Sequence, residues 1–313
     1  MIKNLEVKNF KSLKHLKLDC KRVNVFIGKP NTGKSNILES VGIFSILYKD
    51  IAHFIRFENM TNLFYDGDTS EKIQITADDI YGEIKFENGR FIGRSRYFDF
   101  SFDYTGGSGQ KISGESPFKF YKFGVLHKFP TKDFSFLLPP RGKNLLTILQ
   151  TNKSLKKAID DIFYEFGLQM VFEPQEGNIK ALKKVGDELI LYPYSLVSDT
   201  LQRVVFHLAA IETNKDSIII FEEPEAHAFP YYTKFLAERI AMNGINQYFI
   251  STHNPYFLLS VLEKTPKDEI GIFITYFEDY QTKVRPLSVE EMPEILDLDA
   301  SVFFNLDRFL EKE

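Results

Sequence analysis

One cysteine, Cys20, stands in a chain of 313 residues. No disulfide can form within a single chain, so a reducing, cytoplasmic location is the expectation. No apolar run approaches the roughly 20 residues of a membrane span, and no membrane contact is expected. The opening MIKNLEVKNFKSLKHLKL interleaves lysine with apolar residues and lacks the continuous apolar stretch of a signal peptide. Internal repeats and low-complexity tails are missing too. The net charge is only −4, which gives no global attraction to nucleic acid. What is present is a globular balance, 43% hydrophobic and 26% charged, with length for one large domain or two modest ones.

The charge is uneven. Residues 1–22 carry Lys3, Lys8, Lys11, Lys14, Lys17, Lys21 and Arg22 against Glu6 and Asp19. A solvated strand face explains this, and so does a contact with a phosphate backbone.

Hydrophobic periodicity places the elements. Residues 2–8 and 14–19 alternate as in a β-hairpin, and VNVFI (23–27) reads as a short buried strand. SNILESVGIFSILYK (35–49) carries Ile37, Leu38, Val41, Phe44 and Tyr48 at helical spacing. From about 72 to 137 short alternating aromatic runs such as IQITA and YFDFSFDY predict a β-rich insertion, with a turn or loop at TGGSGQ (105–110). Residues 144–214 read as mostly helical, with DELILYPY a strand or loop and a helix at 198–214 capped by Ser198 or Asp199. SIIIF (217–221), QYFIS (247–251) and GIFITYF (271–277) read as strands, with helices near 230–243 and after Pro255. Apolar strands alternating with helices predict an α/β domain spanning 1–313, a mostly parallel sheet flanked by helices.

Between the strand at 23–27 and the helix that follows stands G-x-x-x-x-G-K-S: Gly28, Lys29, Pro30, Asn31, Thr32, Gly33, Lys34, Ser35, then Asn36. Glycines let backbone N–H groups approach phosphate oxygens. Lys34 can reach the β- and γ-phosphates, Ser35 can ligate Mg²⁺, and the helix points its N-terminal dipole at the anion. A plain Gly/Pro turn is the bland alternative, but it does not account for the strand-loop-helix setting. In SIIIFEEPEAHAFP the buried strand ends in Glu222-Glu223. The first acid can hold a Mg²⁺-bound water and the second can orient a water for attack on the γ-phosphate; an acidic turn is the alternative. QYFISTHNP ends a further apolar strand in His253, placed for a γ-phosphate contact at the same sheet edge, where a lone histidine is otherwise usually structural.

In order and wording these blocks resemble the ATPase heads of the ABC/SMC-type superfamily, above all the AAA-type ATP-binding proteins related to OLD-family nucleases. IKNLEVKNFKSLKHLKLD resembles their opening hairpin, GKPNTGKSNILES their P-loop, FEEPEAHAFP their EEPE-x-H-L-H-P segment and STHNP their switch histidine. The resemblance covers residues 1–50 and 190–260 well and the middle loosely. It implies a P-loop NTPase fold, ATP and Mg²⁺ as ligands, and a homodimer formed on ATP binding. It also implies a signature segment, S-x-G-x-x-Q, that contacts ATP from the opposite subunit. SLVSDTLQR supplies Ser198 and, near the expected glutamine, Gln202, but Thr200, or with a one-residue slip Asp199, stands where the glycine belongs, and an ordinary capped amphipathic helix is the alternative reading. Glu222 replaces the usual Asp, and Phe229 replaces the second histidine. Arg141 in LLPPRGKN reads either as a phosphate-facing arginine or as a surface charge.

About 160 residues separate P-loop and signature without sustained heptads, so no long coiled coil is expected. Only 58 residues follow Pro255, too few for the nuclease domain of the OLD proteins. The acids Glu290, Glu291, Glu294, Asp297 and Asp299 read as a solvated helix face rather than a two-metal site. The expectation is an ATP-hydrolysing head that drives or gates a partner, a nuclease or other effector subunit, acting on nucleic acid. The alternative is a nucleotide-gated scaffold that barely hydrolyses ATP.

Overall fold

The computed structural model describes residues 1–107, 110, 111, 115–130, 132 and 134–311. Two residues of the expected turn at 105–110, Ser108 and Gly109, lie outside the described residues.

A six-stranded sheet forms the centre. Its strands, from edge to edge, are Gln281–Pro286, Ile270–Glu278, Val23–Gly28, Gln247–Ser251, Ile218–Glu222 and Phe118–Tyr121. Every neighbouring pair is parallel except the first, an antiparallel hairpin. The inner strands are continuous apolar runs because both sheet faces are covered. Val25 and Ile27 point into one core, shared with Leu201, Val205, Leu236 and Leu258 of the helices. Phe26, between them, points into the other with Ile37, Leu38 and Val41 of the helix Lys34–Gly42. The period of two thus divides one strand between two cores.

Behind that helix lies a second, antiparallel sheet of seven strands. The opening hairpin, Asn4–Phe10 with Leu13–Asp19, forms its edge, and Asn4–Phe10 also pairs with Ile73–Ala77. The aromatic-rich strands expected from residue 72 therefore continue the hairpin's sheet. Phe118–Tyr121 leaves it and joins the central sheet beside Ile218–Glu222.

Two elements differ from the sequence reading. The helix expected over 35–49 runs only from Lys34 to Gly42 and tightens into a 3₁₀ turn at Ile43–Ser45. A Cβ on Gly42 would lie 2.2 Å from the Phe120 ring, so the helix ends where it packs closest to the edge strand. The segment 144–214 contains helices Leu145–Thr151, Lys153–Glu165 and Asp199–Thr213, and also a three-stranded antiparallel sheet, Leu168–Glu173, Asn178–Val185 and Glu188–Pro193. Asn178–Val185 carries three lysines and Glu188–Pro193 is a mostly apolar run that lies exposed, so neither alternates apolar with polar residues over its length, the pattern by which strands are read. Among the described residues no helix is long and apolar enough to cross a membrane.

Candidate functional site

Strand register sets the site. Glu222 pairs with Ser251, and Ser251 pairs with Phe26, two residues before Gly28. Three strand ends therefore meet at the carboxyl edge, where α/β sheets hold ligands.

Gly28 has φ +152, and a Cβ there would lie 2.3 Å from Thr275 Oγ1. Gly33 has φ +92, and a Cβ there would lie 2.0 Å from Thr282 Oγ1. Only glycine fits either position, and the late hairpin is what presses on both. Thr32 Oγ1 donates to Lys29 O at 2.8 Å and lies 2.6 Å from Thr275 Oγ1, pinning the loop to that hairpin. Asn36 Nδ2 donates to Ser12 Oγ at 2.7 Å, and Ser12 Oγ lies 2.7 Å from Thr282 Oγ1. Lys29, Pro30 and Asn31 are exposed, and Lys29 pairs with Asp307 at 2.8 Å. Ser35 is half-buried in the first helical turn. Lys34 is buried, with Nζ donating to Gly28 O at 2.8 Å and Lys29 O at 2.9 Å. Burial lowers its pKa to about 8, against the pull of Glu223, so it is still cationic at neutral pH.

Glu222 closes its strand half-buried, 3.3 Å from Arg56 Nη2. Glu223 leaves it at φ +45, a strained conformation for a branch-bearing residue, while its N–H donates to Ser251 O at 3.0 Å. Its Oε1 lies 3.0 Å from His253 Nε2. Burial, and then the charge of Lys34, hold His253 below its ordinary pKa, with Glu223 opposing. The structure thus brings the loop lysine, the second acid and the histidine into one electrostatic neighbourhood.

Ser198 stands apart from them. It caps the helix Asp199–Thr213, its Oγ accepting from Leu201 N at 3.3 Å, and no hydrogen bond links it to the loop, Glu223 or His253. Gln202 is buried, its Nε2 spent on Val197 O at 2.7 Å, so the glutamine near the expected signature position is turned into the fold. Arg141 is exposed and lies along Gly124, outside the loop's surroundings.

Sequence reasoning missed three residues. Glu39, wholly buried on the P-loop helix, pairs with Lys11 and with Arg56 Nε at 2.8 Å, and lies 3.9 Å from Lys122. The pairing of Lys11 removes it from the solvated hairpin face. Arg56 bridges Glu39 to Glu222. Glu225, the third acid of EEPE, is buried and accepts from Thr252 Oγ1, while its Oε2 has no partner. Burial pushes its pKa up from 4.5 to about 7. The available signal was the third carboxylate in that short run.

For Mg²⁺ the available donors are hard oxygens, the Ser35 hydroxyl and the Glu222 carboxylate. Among the described residues no group of three or more His, Cys, Asp or Glu could hold a metal ion. Such a set fits Mg²⁺ shared with substrate phosphates and water, not an all-protein cage.

A glycine loop at the centre of a parallel sheet, with its polar partners on the next two strand ends, defines a P-loop ATPase. The chain belongs to the AAA ATPase domain family, whose model matches residues 1–167. A second model, an AAA domain linked in its description to an AbiEii toxin of a Type IV TA system, matches residues 127–260. An ATP/GTP phosphatase of Helicobacter pylori is 36% identical over a stretch covering 25% of this chain and 24% of that one, so the chain spans about a quarter of that relative. An Smc head bound to the C-winged helix domain of ScpA shares the fold, with TM-score 0.59 and 18% identity over 93% of this chain and 99% of its own. An Smc head from Pyrococcus furiosus, with an extended coiled coil and bound to the C-terminal domain of ScpA, gives TM-score 0.55 and 13% identity over 95% and 98%.

Proposed function

We propose that this ATPase closes in pairs around ATP and that hydrolysis reopens the pair, driving or gating a partner that acts on nucleic acid. The observation that carries the reading is the Glu223–His253 pair, 3.0 Å apart and within the field of Lys34.

In this reading the N–H groups of residues 31–36 and the Lys34 ammonium hold the β- and γ-phosphates. Glu223 orients the attacking water and accepts its proton, while His253 fixes the carboxylate and contacts the γ-phosphate. Ser35 and Glu222 would hold Mg²⁺, directly or through water, where it would supply positive charge to offset that of the phosphates. Arg56 and Glu39 hold Glu222 in place from behind.

Two features support closure by a second copy. Ser198 sits at a helix N-terminus away from its own P-loop, so a subunit presents it outward. Leu196, Phe229 and Tyr231 around it are 71%, 67% and 60% exposed, an apolar surface that a second protomer can cover. A separate effector is proposed because the similar Smc heads carry a ScpA domain. Direct contact of the opening hairpin with nucleic acid gains little support. Lys8 and Lys17 lie on Glu6 at 3.2 and 3.5 Å, and Lys11 is buried on Glu39. The lone, buried thiol of Cys20 suits a cytoplasmic setting.

A steady-state phosphate-release assay, with and without DNA, tests this. Turnover that falls in Glu223→Gln is the expected result. Phosphate release no faster than background in the wild type would favour the scaffold reading, which the absent signature glycine and the inward-turned Gln202 support.

A further inference from the structure

A cavity of about 390 Å³ lies between the turns that follow the P-loop helix and the loop around residues 126–143. It shares no lining residue with the glycine loop, Glu222, Glu223 or His253. Its floor is apolar, with Leu47, Leu138 and Pro139, and its rim carries Lys49, His53, Lys132, Arg141 and Lys143. Lys49 has Asp50 at 3.8 Å. Among the described residues Lys132, Arg141 and Lys143 make no ion pair. Unpaired like charges gathered in a concavity repel one another, and an anion relieves that repulsion.

The turn bearing Arg141 and Lys143 is held by hydrogen bonds. Gly142 N donates to Leu138 O at 2.8 Å, and the buried Asn144 side chain donates to Phe136 O at 2.9 Å and accepts from Leu138 N at 2.8 Å. Phe134, 38% exposed, forms one wall. It stands edge-on to Phe136 at 5.6 Å, and Phe136 is edge-on to Tyr48 at 5.9 Å. An aromatic wall beside four cations suits a flat base joined to phosphate. The volume is that of a small-ligand site, and a duplex, with its bases stacked inside, cannot offer one base to it.

We propose that this cavity binds a nucleotide unit, its base against Phe134 and its phosphates on Lys49, Lys132, Arg141 and Lys143. Single-stranded nucleic acid and a free nucleotide supply the same chemistry, and the experiment separates them. The site stands independently of the ATPase cycle proposed above. It gives Arg141 a phosphate-facing role away from the P-loop.

The test keeps excess ADP and Mg²⁺ throughout, so that the P-loop does not contribute. A fluorescein-labelled thymidine dodecamer is titrated by anisotropy at about 50 mM salt, where phosphate contacts are strong. Thymidine monophosphate is titrated while the His53 ring is followed by NMR. Burial, then Lys49, Arg141 and Lys143, hold His53 below its ordinary pKa, with Asp50 opposing; a phosphate in the cavity raises it. Arg141→Glu with Lys143→Glu is the comparison, and its unchanged basal ATP turnover reports an intact fold. Dodecamer binding that weakens about tenfold or more in the double variant supports the site with a strand as ligand. No dodecamer binding, with a His53 pKa raised by the monophosphate in wild type alone, supports it with a free nucleotide as ligand. Absence of both responses, or binding equal in wild type and variant, overturns the proposal.

Discussion

Glu223 Oε1 lies 3.0 Å from His253 Nε2, across the ends of two adjacent parallel strands. The acid is held there by a left-handed backbone and by its N–H bond to Ser251 O at 3.0 Å. A carboxylate held at a strained backbone and aimed at one partner is consistent with the proposed water-orienting role. Glu223→Gln is expected to slow turnover by at least about tenfold while leaving ATP affinity unchanged, since only the proton acceptor is lost. His253→Ala should do the same. Steady-state phosphate release and calorimetry read the two effects separately. Unchanged turnover in Glu223→Gln would move the role to Glu222 or His253.

Lys34 makes a prediction about pH. In the proposed cycle its ammonium holds the β- and γ-phosphates, so Lys34→Ala should abolish ATP binding in calorimetry. Burial lowers its pKa to about 8. Below pH 8 the lysine is already charged, and affinity should be flat. Above it the protein must take up a proton to bind, and affinity should fall by up to about tenfold per pH unit. Buffers of different ionisation heat will show that uptake. Wild-type affinity in Lys34→Ala would remove the loop's assigned role.

The loop and the strand ends were legible because their signals are local. Glycine spacing, an apolar run and the polar residues that end it all fall within about fifteen residues of each other. The Glu39 cluster was not, because its partners Lys11 and Arg56 are 28 and 17 residues away, and an acid on an apolar helix looks the same in sequence whether paired or solvated. The sheet at Leu168–Pro193 was hidden for the opposite reason. Its strands are paired through hairpins, and LQMVFE, NIKALKKV and ELILYP do not alternate apolar with polar residues over their lengths. Gln202 was read by position alone, and position does not say which way a helical side chain turns.

Glu225 predicts how stability changes with pH. Its folded pKa, about 7, is above the ordinary value of 4.5, so the folded state holds the proton more tightly. That stabilisation is complete below pH 4.5 and is lost as pH rises through 7. Glu225→Gln keeps the shape, leaves an acceptor for Thr252 Oγ1 and cannot ionise. Its melting temperature relative to wild type should therefore rise between pH 5 and pH 8, by about 2–5 °C. A difference independent of pH would show that Glu225 ionises in the folded protein as it does in water.

Glu39 is wholly buried with Lys11, Arg56 and Lys122 around it. Glu39→Gln preserves volume and removes the charge, leaving the mostly buried Lys11 without its counter-ion. The expected loss is about 3–5 kcal/mol in urea unfolding, the cost of breaking one side of a buried ion pair. A loss below about 1 kcal/mol would mean that the cations swing out to water, and Arg56 would then no longer reach Glu222.

The pairing of two heads makes the last prediction. In the proposed pair one chain would offer the γ-phosphate its own loop, Glu223 and His253, and leave the outward side to a partner. Ser198 of a second copy would bring a hydroxyl and a helix N-terminus to that side, and Leu196, Phe229 and Tyr231 would lose exposed apolar surface as it closed. ADP lacks the γ-phosphate and gains none of the Ser198 contact. ATP should therefore favour the closed pair over ADP by about 1–3 kcal/mol, a factor of roughly 5–150 in the dimerisation constant. Thr200 in place of the signature glycine holds the backbone further off and places this head toward the lower end. The measurement is sedimentation of Glu223→Gln with Mg²⁺ and either nucleotide. Mass should rise with ATP and not with ADP, and adding Ser198→Arg should cancel the rise by putting a large side chain where the hydroxyl must approach. A rise that survives Ser198→Arg would make SLVSDTLQR an ordinary helix start. A mass unchanged across all nucleotide states would mean that this head works without sandwiching ATP between two copies.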